Sequence, residues 1–260
     1  MIENERYSLT MEEWSVVFEA RKPSPVTISC PHDGLLFPEF SGLFEARKTG
    51  WWGRDLRVWR RIKDILLLTD VNSVRGLMPR ALIDYNRAWP KGINYYPRTQ
   101  KEVHTALDDA KLLNAYEYYH SSIDRILKES TTRFGREHVL LLDVHGFEKQ
   151  PSYAPASGLD LILGTGNRAS VPHGNIDEKL AHYMTERGYN VFLPEDMSIG
   201  PEEDWYSADF TTRHHSEKRG INVIQIEIAS RFRIRGENQA GQKLSIALAN
   251  FIKSNCLVET

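Results

Sequence analysis

The stretch VLLLDVHG, at residues 139–146, decides the fold prediction. A short apolar run that ends in polar residues and glycine is typical of a buried strand in an α/β sheet. Asp143 and His145 come at its carboxyl end, which is where open α/β sheets bind their ligands. Because one residue separates them, both side chains point to the same face if the strand continues that far.

A second stretch, VTISCPHDG at residues 26–34, has the same layout. Its apolar run also ends in a histidine, His32, that is followed closely by glycine. Two buried strands that each deliver a histidine to one edge of the sheet predict a zinc site. The alternative is that each histidine is an ordinary polar residue at the end of a strand.

The composition is that of a globular chain. Its 260 residues, 41% hydrophobic and 26% charged, predict one domain over 1–260, with or without a small insertion. The net charge of -2 gives no general electrostatic reason to expect a nucleic-acid or membrane partner. Cys30 and Cys256 do not make a disulfide framework. No apolar stretch approaches the ~20 residues that span a bilayer, and the N-terminus lacks a signal peptide's apolar core, so we expect a cytoplasmic protein.

Predicted strands and helices alternate along the chain. Strands are predicted at residues 14–20, 26–30, 65–68, 80–83, 139–144, 159–163, 190–193 and 221–228. Helices are predicted at residues 55–65, 99–130, 176–187 and 240–255, with Thr99 and Glu102 as a capping box for the second. Loops are predicted at residues 35–53, 88–97 and 194–210. The alternation predicts an α/β protein, a three-layer α/β/α sandwich around a mixed, mostly parallel sheet.

A catalytic zinc site needs a third protein ligand, which we expect to be an acid. Asp33, Glu39 and Asp55 are all within reach of His32 along the chain. We prefer Asp55, because it opens a predicted helix after a loop long enough to fold back. Asp143 either merely ends its strand or orients a ligand imidazole or a substrate.

Three further stretches carry side chains of the kinds that bind substrates or act in catalysis. Residues 84–87, DYNR, place an amide beside a guanidinium, a pair suited to binding a carboxylate, although a turn and a surface arginine would look the same. Glu227 lies in an apolar strand, where it is either a general base facing an activated water or part of a solvated edge strand. Residues 211–215, TTRHH, are predicted to be a loop that is either substrate-binding or ordinary surface.

The ordered set of these motifs resembles the N-formylglutamate amidohydrolase family, which is itself similar to zinc carboxypeptidases and aspartoacylases. The resemblance runs from about residue 26 to residue 228. The matching motifs are PHDG at 31–34, Asp55, DYNR at 84–87, DVH at 143–145, LGT at 163–165, TRH at 212–214 and QIEI at 225–228.

The resemblance implies an amidohydrolase that acts on a small-molecule N-acyl amino acid, N-formylglutamate first of all. It implies that Zn²⁺ binds to His32, Asp55 and His145, and that Glu227 moves the proton of the attacking water. Asn86 and Arg87 would bind the substrate α-carboxylate. The remaining implied contacts, with the substrate or its oxyanion, involve Asp84, Asp143, Thr165, Arg213 and His214.

The chain departs from these families at two places. Carboxypeptidases carry a glutamate three residues after the first histidine, where this chain has Leu35. The identity of the acidic ligand is therefore left undecided among Asp55, Asp33 and Glu39. Family members often follow the second histidine with serine and a nearby arginine, where this chain has Gly146 and then Phe147, so we expect a different acyl or side-chain pocket. Two alternatives stay open: a carboxypeptidase-like metallopeptidase, and an inactive module that binds a metal or an amino acid.

Overall fold

The computed structural model describes residues 8–12, 15–34, 55–80, 83–89, 109–151, 154, 157–194, 208–234 and 239–257. In these parts of the chain, one sheet is covered by five α-helices. The strands are β1 Ser8–Glu12, β2 Ser15–Glu19, β3 Val26–Cys30, β4 Asn72–Gly76, β5 Leu140–Phe147, β6 Leu161–Gly164, β7 Val191–Phe192 and β8 Asn222–Ala229. The helices are α1 Val58–Leu68, α2 Asp109–Phe134, α3 Ile176–Thr185, α4 Phe210–Arg219 and α5 Gln239–Asn255.

The sheet has the strand order β1-β2-β4-β3-β5-β8-β6-β7. Its central strands β4, β3, β5 and β8 are parallel, and so are β6 and β7. The pairs β1/β2, β2/β4 and β6/β8 are antiparallel. The predicted mixed, mostly parallel sheet is therefore confirmed.

Two apolar clusters, one on each face of the sheet, make the three layers. One cluster contains buried residues of α1, α3 and α5, and the other contains buried residues of α2. Strand β5 contributes to both, because its side chains alternate: Leu140 and Leu142 belong to the first cluster and Leu141 to the second. Asp143 and His145 continue the alternation of Leu141, so they point to the face that α2 covers.

Two strand predictions were wrong. Residues 65–68 form the last turn of α1, where Ile65 and Leu66 are buried and Leu67 and Leu68 are exposed. The run is apolar throughout, but its burial follows the helical period, not that of a strand. Arg80 and Ile83 also lie outside any strand, whereas the polar strand β4 was not predicted.

The loop prediction for residues 211–215 was also wrong, because they belong to α4. Asp209 caps this helix by accepting a hydrogen bond from the Phe210 N–H (2.9 Å), and Gly220 ends it in a left-handed conformation. The predictions for residues 35–53, Thr99, Glu102 and most of 194–210 lie outside the described residues. No helix in the described ranges is long and apolar enough to cross a membrane.

Candidate metal centre

Three buried side chains meet at the carboxyl edge of the central strands. His32 follows β3, His145 lies near the end of β5, and Asp55 precedes α1. The Asp55 N–H donates to the His32 carbonyl (3.1 Å), which brings the start of α1 back against the end of β3. The backbone therefore places the preferred acid beside the first histidine.

The three candidate ligand atoms form a nearly equilateral triangle. His145 Nδ1 lies 3.1 Å from His32 Nδ1 and 3.1 Å from Asp55 Oδ2, and His32 Nδ1 lies 3.3 Å from Asp55 Oδ2. A tetrahedron with metal–ligand bonds of about 2.0–2.1 Å has edges of about 3.3 Å. The triangle therefore has the size of one face of a tetrahedral zinc site.

A carboxylate holds the far nitrogen of each imidazole. His32 Nε2 donates to Asp84 Oδ1 (2.7 Å), and His145 Nε2 donates to Asp143 Oδ2 (2.8 Å). Asp84 also accepts from Arg80 Nε (2.9 Å). These contacts fix each ring with its Nδ1 toward the triangle, as carboxylates commonly do for metal-binding histidines. Asp84 was predicted to bind substrate, and Asp143 to orient either a ligand imidazole or a substrate. Both are placed to orient the two rings.

The donor set suits a cation. With both Nε2 atoms protonated toward carboxylates, both Nδ1 atoms carry lone pairs and face the Asp55 carboxylate. Three acceptors at this separation repel one another unless positive charge lies between them. Burial alone would lower the pKa of His145, yet Asp143 and Asp55 raise it well above the usual range, so without a cation a proton on Nδ1 takes the place between the ring and Asp55 that a metal ion would fill. The residues therefore fit Zn²⁺.

Asp55 is favoured over Asp33 as the acidic ligand. The Asp33 carboxylate accepts the backbone N–H groups of Arg57 (3.3 Å) and Trp59 (2.8 Å), so it satisfies the first turn of α1. Asp33 is therefore occupied in holding the helix. Glu39 and Leu35, the other positions at issue, lie outside the described residues.

Glu227 lies beside the triangle on the neighbouring strand. It pairs in register with His145, and β8 is flanked by β5 and β6, so the solvated edge-strand alternative was wrong. Gln225 lies two residues earlier on the same strand, and its Nε2 donates to Glu227 Oε1 (3.0 Å). Burial, with a contribution from the charge of Asp55, raises the pKa of Glu227 to about 7.

Asn86 is buried against the same histidine. Its Nδ2 lies 3.3 Å from His145 Nε2, and its Oδ1 accepts the Thr211 N–H (2.8 Å) at the start of α4. The preceding carbonyl, of Tyr85, accepts from His120 Nε2 (2.9 Å) on α2. Helices α4 and α2 thus fix the segment that carries Asn86 and Arg87, the pair predicted to bind a carboxylate.

Arg87 forms an ion pair with Asp209, the capping residue of α4. Its guanidinium also donates to the Asn86 carbonyl (2.8 Å). The Arg87 guanidinium, which we predicted to bind a substrate carboxylate, therefore contacts the carboxylate of Asp209 in its own chain. Sequence reasoning missed Asp209, although an aspartate directly before an FTTRHH segment is a recognisable helix-capping signal.

The other predicted substrate contacts lie further along the chain. Thr165 follows β6 and accepts the Arg168 N–H (3.1 Å) in a turn. Arg213 is on the exposed side of α4. His214 is half-buried and stacks on Phe210 with ring centroids 4.9 Å apart. Thr165 thus contacts its own turn, whereas His214 contacts Phe210 of its own helix and His120 of α2 (ring centroids 6.0 Å).

We expect Asp84→Asn to weaken zinc binding by about 10–100-fold, the usual cost of removing a carboxylate behind a histidine ligand. The amide can still accept a hydrogen bond from His32 Nε2, but it is neutral and no longer offsets the positive charge of a cation bound at Nδ1. Competition with a chromogenic chelator measures the affinity. Asp124→Asn, on α2 in an ion pair with Arg219, is the matched control. Equal affinity for the Asp84 variant and the wild type would contradict an orienting role.

Known proteins resemble this chain in sequence and in fold. The model of the N-formylglutamate amidohydrolase family matches residues 24–232. N-formylglutamate amidohydrolase from Ralstonia eutropha JMP134 superimposes with a TM-score of 0.68 and 19% identity, covering 92% of this chain and 96% of that one. An Agrobacterium tumefaciens gene product gives 0.63 and 18%, covering 94% and 96%. No curated protein sequence matches the chain.

Proposed function

The chain belongs to the N-formylglutamate amidohydrolase family, and from that premise we propose that it is a zinc-dependent amidohydrolase. Its substrate is an N-acyl amino acid, and the N-formyl group of a compound such as N-formylglutamate is the first choice. Hydrolysis adds water to the acyl carbon, breaks the C–N bond and releases the acid and the free amine.

The triangle of His32, Asp55 and His145 is the observation that carries this proposal. Its edges of 3.1–3.3 Å match a tetrahedral face, and the two orienting carboxylates leave lone pairs pointing inward. A catalytic zinc site uses three protein ligands and keeps one position open. When bound, Zn²⁺ supplies Lewis acidity that brings the pKa of water to about 7.

Glu227 is the residue that moves the proton. A general base works best when its pKa lies near the working pH, and burial raises the pKa of Glu227 to about 7. Its carboxylate takes a proton from the attacking water and returns it to the departing nitrogen. The Gln225 amide holds one carboxylate oxygen, so the geometry of the transfer is fixed before substrate binds.

Asn86 and Arg87 are the proposed binding groups for the substrate α-carboxylate. A guanidinium recognises a carboxylate through paired hydrogen bonds. Because Arg87 contacts Asp209 in the structure, the substrate carboxylate would replace the Asp209 carboxylate at that guanidinium.

We expect Arg87→Ala to raise KM for N-formylglutamate by at least ~10-fold, since a charged hydrogen bond is worth about 1.5–3 kcal/mol. Steady-state kinetics on the acid and on its α-carboxamide measure the effect. Arg125→Ala is the control, because Arg125 pairs with Glu19 and Glu129 on the surface. An equal loss on acid and carboxamide would remove Arg87 from carboxylate binding.

A substrate panel with and without chelator tests the function as a whole. N-formyl, N-acetyl and peptide-linked amino acids are offered to the purified protein. We expect hydrolysis of the N-formyl compound, loss of activity with chelator and recovery with added zinc. Faster cleavage of dipeptides would instead indicate a peptidase. Absence of hydrolysis with the metal bound would indicate a binding module and contradict the proposal.

A further inference from the structure

Arg233 is a buried arginine next to the metal centre that the proposed mechanism does not use. It follows β8 by four residues, lies one residue beyond the family match, and is only 2% exposed. Each nitrogen of its guanidinium group donates to a backbone carbonyl. Nη1 donates to Leu56 O (2.7 Å), Nε to Ile228 O (2.9 Å) and Nη2 to Phe147 O (3.1 Å).

The three carbonyls belong to the three segments that carry the site. Leu56 directly follows Asp55, and Ile228 directly follows Glu227. Phe147 comes two residues after His145, at the end of β5. One rigid, planar group therefore ties together the backbone beside a candidate acidic ligand, a candidate histidine ligand and the candidate general base.

Gly146 makes room for this guanidinium. A Cβ atom at Gly146 would lie 2.2 Å from Arg233 Cζ and 2.4 Å from Arg233 Nε, far inside van der Waals contact. Any residue with a Cβ atom at this position would therefore displace the guanidinium. Gly146 and Arg233 thus depend on each other.

The positive charge of Arg233 also interacts with the acidic residues of the site. Burial lowers its pKa, and the negative charges of Asp55 and Glu227 oppose that effect. An arginine stays protonated in proteins even when its pKa falls somewhat. A fixed positive charge behind Asp55 and Glu227 lowers the cost of burying the two carboxylates close together.

We propose that Arg233 is a positioning residue, which fixes the spacing of Asp55, His145 and Glu227 and so sets both zinc affinity and turnover. It does not touch the substrate. Only the predicted effect on turnover rests on the proposed function, because zinc affinity can be measured without any substrate.

The first experiment measures zinc affinity by chelator competition on the full chain with Arg233→Met and Arg233→Lys. We expect both to bind zinc at least ~10-fold more weakly, since lysine keeps the charge but cannot reach three carbonyls. With N-formylglutamate, kcat should fall at least ~10-fold while KM changes less than about 2-fold, because Arg87 is left in place. Arg231→Met is the control: Arg231 is half-exposed and binds Asp160.

The second experiment is a double-mutant cycle between Gly146→Ala and Arg233→Met. We expect Gly146→Ala to weaken zinc binding in the wild-type background and to have little further effect once Arg233 is methionine, because the clash has then gone. If Arg233→Met does not fold, Arg233→Lys takes its place in the cycle. Wild-type zinc affinity in the Arg233 variants, or strictly additive effects in the cycle, would overturn the proposal.

The two proposals fail in different ways. Should no substrate in the panel be hydrolysed, the proposed function fails, and the zinc measurements still decide the role of Arg233. Should the enzyme be active while the Arg233 variants match the wild type in zinc affinity and kcat, only the positioning role fails.

Discussion

Glu227→Gln is expected to lower kcat for N-formylglutamate by at least ~100-fold and to leave the zinc content unchanged, as the loss of a general base requires. The amide has the same shape as the carboxylate and can still accept the hydrogen bond from Gln225. It cannot take a proton from water. The substitution also removes a buried charge, so the variant should fold at least as well as the wild type.

Steady-state kinetics and metal analysis on the same preparation check this expectation. Glu148→Gln is the matched control, because Glu148 is an exposed acid three residues after His145 and has no assigned role. Its kcat should stay within about 2-fold of the wild type, as is usual for surface substitutions. An unchanged rate for Glu227→Gln would remove Glu227 from the mechanism, and loss of zinc would make it a ligand instead.

His145→Ala should abolish zinc binding, taking the metal content from about one ion per chain to none, because three protein ligands are the usual number in a catalytic site. The substitution also leaves Asp143 without the imidazole that it holds. Elemental analysis of the purified protein measures the metal, and activity should be lost with it.

His182→Ala is the control for this change. His182 lies on α3 with 76% of its side chain exposed and pairs with Glu186. Its zinc content and activity should match the wild type. A His145→Ala protein that kept a full complement of zinc would show that the metal is held elsewhere.

The sequence predicted the central strands well because their signal is local. Val26–Cys30 has the predicted bounds, and β5 and β8 start within one residue of theirs. A continuous apolar run between polar residues identifies a strand that is buried on both faces. Strand β4, with the sequence NSVRG, has no such run, and only its pairing with β2 and β3 makes it a strand.

The meeting of His32, Asp55 and His145 could be predicted in outline. Parallel strands place their carboxyl ends at one edge, and the paired histidine endings indicated that edge. The partners of each side chain could not be predicted, because they depend on register and loop paths. Asp84 was expected at the substrate and contacts His32, and Arg233 carried no recognisable signal in the sequence.

The most direct measurement is anomalous diffraction at the zinc edge, on crystals of the full chain grown with zinc. We expect one strong peak about 2.0–2.2 Å from His32 Nδ1, His145 Nδ1 and Asp55 Oδ2, with Glu227 beside it. A peak bound by other residues, or two imidazoles too far apart to share one ion, would contradict it.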